Sequence, residues 1–377
     1  MKEAQLYEEL SNGVVKCTAC PRRCRISPGL WGACGIRWNI DGKLYLMNYG
    51  RVIAAHIDPI EKKPLYHFNP GSAVFSIATT GCSWFCQYCQ NADISQRRRV
   101  EGFEVTPQLL VDLAAAYGAH GFAYTYNEPT IFMEFARDVG ILSHERGLFN
   151  SFVSNGYMTD EAISMAAQFL DAITVDLKGN ASEKFLRRYV GVPSPEPIFA
   201  ALRELKRKGI YVEVTDLVVP RVGDDLSDAR RVARWIVDEL GPETPVHFLR
   251  FHPDYKMLDI PPTPVETLEK HAEVAREEGL LYVYIGNVPG HELENTHCPS
   301  CGRVVIRRRG FELLEWNIED GKCKYCGAKI HLRGELKPTW SEDRFMQVPI
   351  HLFSNYTEVK LSDVKGMRLP GEEAPQL

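Results

Sequence analysis

Short apolar runs recur through the middle of the chain, and the stretches between them carry apolar residues at helical spacing. Strands are predicted at 73–79, 121–126, 151–154, 172–177, 211–219, 246–251 and 281–285. Amphipathic runs at 107–117, 130–146 and 160–169 lie between them, and 265–278 continues the series. This alternation predicts an α/β fold with repeated crossovers and a parallel sheet, open or rolled into a barrel. Functional side chains are then expected at the C-terminal strand ends. The flanks break the rhythm. A proline-punctuated loop occupies 58–68, and 296–334 is cysteine-, glycine- and basic-rich with a hairpin-like pattern. The predicted organisation is an N-terminal cysteine-rich module and lead-in (1–70), the parallel barrel (71–292), a small C-terminal module (293–335) and an extended or partly disordered tail (336–377).

Composition changes this picture little. The chain has 377 residues, 45% hydrophobic and 25% charged, with a net charge of −5. That balance argues against a global nucleic-acid or membrane binder. No run of about 18 apolar residues marks a membrane span, and the first residues lack the apolar core of a signal peptide. The odd count of 11 cysteines, with paired and glycine-flanked spacings, speaks against a disulfide framework. Thiolates free for metal point to a reducing cytoplasm.

The cysteines form three groups. The middle one, Cys82, Cys86 and Cys89, is spaced C-x3-C-x2-C, with Tyr88 just before the last. A [4Fe-4S] cube takes four ligands, so three thiolates leave one iron open to a ligand that is not protein. An open coordination position marks catalytic metal sites elsewhere. The plain alternative is a zinc knuckle short of a ligand.

The segment from Thr80 to Asn91 resembles the signature of radical S-adenosylmethionine (SAM) enzymes. With Cys20-Pro21-Arg22, the 58–68 loop, Gln90-Asn91 and Val288-Pro289-Gly290-His291, the chain resembles the radical SAM member of the AmmeMemoRadiSam system. That group is similar to the pyruvate formate-lyase activating enzymes. The resemblance covers roughly 15–334 and implies a partial (β/α)6-type barrel of the radical SAM kind. It also implies a [4Fe-4S] cluster on Cys82, Cys86 and Cys89, with SAM on the open iron. Reductive cleavage would leave methionine and a 5′-deoxyadenosyl radical that abstracts hydrogen from a substrate, while the protein orients the reactants and excludes water.

The resemblance assigns further residues to the cofactor. Tyr88 would pack over the cluster near adenine, or serve as an ordinary core aromatic. Tyr126-Asn127-Glu128 stands where the family has Gly-Gly-Glu, so close backbone approach is in doubt. Glu128 remains an anionic partner for the SAM ammonium, or a carboxylate at a helix N-terminus. Ser154 and Asn155 would contact the methionine carboxylate or ribose, unless Ser154-Asn155-Gly156 is simply a turn. Asp176 and Lys178 would hold SAM or substrate, or pair with each other. His252 would line the pocket, though a lone histidine is more often structural. Asn287 would contact adenine or close a turn.

Two outer groups complete the cysteine set. Cys17, Cys20, Cys24 and Cys34 match a closed four-thiolate site, either zinc or a second iron–sulfur cluster. Cys298, Cys301, Cys323 and Cys326 form two C-x2-C-G knuckles, the pattern of a structural zinc ribbon, with a rubredoxin-like iron site as the other option. The triplets Arg97-Arg98-Arg99 and Arg307-Arg308-Arg309 read as solvated surface rather than as nucleic-acid contacts.

The leading expectation is a cytoplasmic radical SAM oxidoreductase served by an electron donor such as flavodoxin or ferredoxin. Its hydrogen donor would be a glycyl-radical-type or partner protein, or a small molecule, with Memo-type and AMMECR-type proteins as system partners. The competing expectation is a multi-zinc nucleic-acid-binding or scaffold protein. Neither the substrate nor a catalytic side chain is readable from the residues.

Overall fold

Eight of the strands in the computed structural model belong to one curved sheet with a short ninth at its edge; the structure describes residues 1–97, 99–337 and 346–359. Strand β1 (Ala54–Pro59) runs antiparallel to β2 (Ala73–Ala78). From β2 onward the strands are parallel and pair in sequence order: β3 (Gly121–Tyr124), β4 (Phe149–Ser154), β5 (Ala172–Asp176), β6 (Tyr211–Val218), β7 (Val246–Arg250) and β8 (Val283–Gly286). The short β9 (Met346–Gln347) pairs antiparallel with β1. The seven predicted strands are all present. Six crossovers join them, as a (β/α)6-type unit with a closing strand requires, and the sheet stays open between β8 and β9.

The crossover helices begin where local capping predicts. In α1 (Pro107–Ala116) the Thr106 hydroxyl accepts from Leu109 N at 3.1 Å, with proline in the first turn. Helix α2 (Met133–Glu145) follows a 3-10 turn over Pro129–Phe132. Helix α3 (Asp160–Ala166) is capped by Thr159 at 3.2 Å from Ala162 N. Helices α4 (Glu196–Arg207), α5 (Leu226–Leu240) and α6 (Val265–Glu277) complete the outer layer. Strand β4 starts two residues before its predicted position, because polar Asn150 interrupts the apolar run. Its buried amide is satisfied: Oδ1 accepts from Tyr124 Oη and Ser143 Oγ, both at 3.0 Å. Strand β8 starts two residues late, since Leu281 only leads in and bonds through its amide to Pro242 O at 2.9 Å.

The 58–68 loop lies against the inner faces of four strands. Thr174 on β5 donates to Lys63 O at 2.7 Å, and Glu213 on β6 accepts from Tyr66 N at 3.1 Å and His67 N at 2.7 Å. His247 on β7 meets Glu213 at 2.7 Å, and Tyr284 on β8 meets His67 at 2.5 Å. This polar interior carries its own hydrogen bonds, so its burial is compensated.

Small antiparallel sheets form the N-terminal region. The buried pair Arg37–Glu134 clamps it to α2 through bonds of 2.9 and 2.5 Å. At the other end, Thr296–His297, Val304–Arg309 and Glu312–Trp316 form a three-stranded antiparallel sheet. Arg308 corrects the expectation of a solvated triplet. Its side chain is 2% exposed, bonded to Thr296 Oγ1 at 2.7 Å and Tyr66 O at 3.0 Å, and 4.3 Å from the Tyr66 ring centroid. Arg307 pairs with Glu315 and Arg97 with Glu101; Arg98 lies outside the described residues. The described part of the tail holds a 3-10 turn at Ile350–Leu352 and a strand, Tyr356–Glu358, that pairs with Glu101–Glu104; 338–345 and 360–377 lie outside the described residues. No described helix is long and apolar enough to cross a membrane.

Candidate functional site

The three-cysteine segment leaves the C-terminal end of β2 and is seated from several directions. Gly81 adopts φ +90, and a Cβ there would stand 2.7 Å from Cys34 O. Only glycine permits that conformation and that approach. Asn127 Nδ2 donates to Gly81 O at 2.9 Å, and Asn48 Nδ2 donates to Thr79 Oγ1 at 2.8 Å. Farther along, Phe85 N bonds to Val190 O at 3.0 Å and Gln87 N to Tyr189 O at 2.9 Å. Arg22 Nε donates to Ser83 O at 2.7 Å. These contacts hold the loop before any ligand arrives.

Cys82, Cys86 and Cys89 are free thiols, Cys86 buried and the others partly so. Trp84 N lies 3.4 Å from Cys82 Sγ, and Ser95 Oγ lies 3.1 Å from Cys89 Sγ. Burial pushes the Cys86 thiol up to about 12, so a thiolate there needs a cation to offset desolvation. A cavity of about 220 Å³ opens beside the loop, lined by Cys34, Cys82, Phe85, Gln96, Tyr255 and Lys256 among others.

Most of the expected cofactor residues gather at neighbouring strand ends. Tyr88 is 5% exposed, packs on Phe185 and Phe251, and its hydroxyl faces the Cys86 thiol. Glu128 is buried and caps the Pro129–Phe132 turn, as its plain alternative predicts. Its Oε1 accepts from Thr130 N at 3.0 Å, Thr130 Oγ1 at 2.6 Å and Ser154 Oγ at 2.8 Å, and its Oε2 accepts from Asn155 N at 2.8 Å. Burial raises its pKa despite these donors. Ser154-Asn155-Gly156 does form a turn, yet Asn155 Nδ2 also donates to Ser83 Oγ at 3.2 Å in the cysteine loop. Asp176 and Lys178 pair with each other, leaving Asp176 Oδ1 buried without a partner. Lys178 lies close enough to Cys86 to favour its thiolate.

Two expected residues stand apart. His252 is not a pocket wall: its side chain is 78% exposed, with Nδ1 3.1 Å from Asp254 Oδ2. Asn287 is exposed, adopts φ +62 and donates to Arg250 O at 3.2 Å, which closes a turn.

Other residues at the site escape sequence reasoning. Tyr126 takes φ +66, the conformation a glycine would supply, so the Tyr-Asn replacement keeps the backbone path. Its hydroxyl donates to Asp58, which also accepts from Lys62 at 2.7 Å and Lys63 at 2.6 Å. Burial works to raise the Asp58 pKa, but the two ammonium groups hold it well below the usual carboxylate range. The charged Asp-Pro-x-x-Lys-Lys run of the 58–68 loop was the available signal. Arg22, Ser83 and the 186–191 segment carried none.

The residues fit the implied groups. One loop carries all three thiols, and polar atoms of Trp84, Thr80 and Asp176 are buried without a protein partner. At the far end, the sulfurs of Cys298, Cys301, Cys323 and Cys326 all lie within 4.8 Å of one another, the compact geometry of a single-ion site.

The radical SAM superfamily model matches residues 76–236, from β2 through most of α5. A full-length relative, the uncharacterized protein MJ0808 of Methanocaldococcus jannaschii, is 46% identical over 88% of this chain and 99% of its own. The chain belongs to the radical SAM superfamily. Solved structures with similar folds include a domain of pyruvate-formate lyase-activating enzyme from Bacteroides vulgatus. It is 16% identical over 45% of this chain and 100% of its own, with a TM-score of 0.38. Streptococcus suis SuiB bound to precursor peptide SuiA is 11% identical over 60% of this chain and 51% of its own, with a TM-score of 0.45. In this radical SAM enzyme the family match contains the three-cysteine loop and the ends of β3 to β6.

Proposed function

We propose that the chain is the radical SAM oxidoreductase of an AmmeMemoRadiSam-type system and uses SAM to start hydrogen abstraction from a partner protein or small molecule. When bound, a [4Fe-4S] cluster would supply the one electron for cleavage of a SAM C–S bond to methionine and a 5′-deoxyadenosyl radical. Cys82, Cys86 and Cys89 would hold the cluster. Asn155 and Ser154, positioned by Glu128, present polar groups beside that loop. Lys178 and Asp176 offer a cation and a free carboxylate oxygen for a zwitterionic ligand. Tyr88 and Phe185 provide an apolar wall that limits water. Expected partners are a flavodoxin- or ferredoxin-class electron donor and Memo-type and AMMECR-type proteins in a cytoplasmic setting. In this reading 1–70 and 293–335 are metal-binding modules flanking the barrel of 71–292.

The observation that carries the proposal is the three-thiol loop at the C-terminal strand ends, ringed by buried polar atoms without protein partners. Anoxic protein mixed with SAM and reductant should yield 5′-deoxyadenosine and methionine, and the Cys86→Ala variant should yield neither. Absence of cleavage by reconstituted wild-type protein would overturn the assignment. The competing nucleic-acid reading loses its main support with Arg308 buried and Arg307 paired.

A further inference from the structure

The N-terminal cysteines surround a cavity that shares a wall with the three-cysteine loop. Cys17, Cys20, Cys24 and Cys34 line it with Arg37 and Ser83. All four are free thiols. The turn between Val15–Cys17 and Arg25–Ile26 brings three of them together: Cys17 N donates to Cys24 O at 2.9 Å and Arg23 N to Cys20 O at 3.0 Å. A second turn, with Gly35 N bonded to Gly32 O at 2.9 Å, delivers Cys34.

The two four-cysteine sets differ in one geometric respect. The C-terminal sulfurs converge within 4.8 Å of one another. Bonds of about 2.3 Å to one tetrahedral ion require sulfurs about 3.8 Å apart. The N-terminal thiols do not converge in this way; among the described residues no three of them meet that spacing. They line one cavity without that spacing, which suits thiolates bound to different metal atoms of one cluster.

Their placement adds a second point. Ser83, the residue after Cys82, lines the N-terminal cavity, and Cys34 lines both that cavity and the one beside Cys82. The Cys34 carbonyl packs against Gly81, and Arg22, between two of the cysteines, bonds to Ser83 O.

We propose that Cys17, Cys20, Cys24 and Cys34 bind a polynuclear iron–sulfur cluster that relays single electrons to the site of Cys82, Cys86 and Cys89. The relay role rests on the radical SAM reading; the cluster assignment does not. Each passage takes one electron from an external flavin- or iron–sulfur-class carrier, oxidising that carrier. The same electron then reduces the central site, so no bond is made or broken and the relay returns to its starting state.

The test uses full-length protein prepared without oxygen. In the Cys82→Ala/Cys86→Ala/Cys89→Ala variant, iron and labile sulfide should persist with a Mössbauer spectrum of a cluster, alongside about one zinc per chain. Adding Cys17→Ala and Cys20→Ala to that variant should remove the iron and leave the zinc. An iron-free triple variant carrying about two zincs per chain would overturn the cluster. In otherwise wild-type protein, Cys17→Ala/Cys20→Ala should slow reduction of the central site by reduced flavodoxin roughly tenfold or more; an unchanged rate would overturn the relay. If the cluster persists in the triple variant but wild-type protein does not cleave SAM, the functional reading fails and this site stands.

Discussion

Glu128 fixes Asn155 across the mouth of the barrel: its Oε2 accepts the Asn155 amide at 2.8 Å, while Oε1 takes the Ser154 hydroxyl at 2.8 Å. One buried carboxylate after β3 therefore orients the end of β4, and through Asn155 it reaches Ser83. Glu128→Gln turns an acceptor into a donor facing donors, a cost of about 1–3 kcal/mol. The variant should melt several degrees lower and bind SAM more weakly by calorimetry. Unchanged melting and affinity together would remove Glu128 from the site.

Gly81 has no tolerance for a side chain. The φ of +90 and the Cys34 carbonyl 2.7 Å from a would-be Cβ both oppose it. Gly81→Ala should displace the cysteine loop and destabilise the fold by about 2 kcal/mol or more. Iron content of anoxic protein and a denaturant melt would show it; native values for both would contradict the packing described.

Asp216 lies 1% exposed beneath α5, with one oxygen accepting Asn180 N at 2.9 Å and the other unpartnered. Burial raises its pKa from 3.8 to about 7. The folded state then holds a proton that the unfolded chain releases between about pH 4 and pH 7. The contribution of this group to stability is full below pH 4, falls as pH rises through that window and levels off above about 7. Relative to Asp216→Asn, the wild-type protein should lose up to about 1.4 kcal/mol per pH unit across the window. Parallel denaturant melts at pH 5 and pH 8 measure this, and equal pH slopes for the two proteins would refute it.

Arg308 and the C-terminal cysteines stabilise the same module by different means. Its small core holds Val305, Ile306, Ile318 and Ile330, too little apolar surface to fold without metal. Cys323→Ala or chelation should unfold the module, detected as faster proteolysis after residue 295 and loss of the bound metal. Arg308→Met should retain the metal but loosen the module from Tyr66, costing about 3 kcal/mol for the broken buried contacts. Metal loss in Arg308→Met, or an unchanged cleavage rate in Cys323→Ala, would contradict this division.

The strand–helix alternation, the three-thiol spacing and the paired knuckles were readable in the chain because each depends on residues close together. Burial period and ligand spacing are local, and the strands at 73–79 and 172–177 appeared where expected. His252 and Arg308 were misjudged for the opposite reason. An arginine triplet is solvated on average, and nothing near position 308 reveals that Tyr66, 242 positions away, will supply a carbonyl and a ring face. The seating of the 58–68 loop against Thr174 and Glu213, the glycine-like backbone of Tyr126, and the Cys34 wall beneath Gly81 likewise arose only when distant segments met. Metal-binding chemistry was thus written in neighbouring residues. Which polar groups are buried, and which remain without a protein partner, depended on long-range packing, since desolvation acts on whatever the folded chain brings into contact.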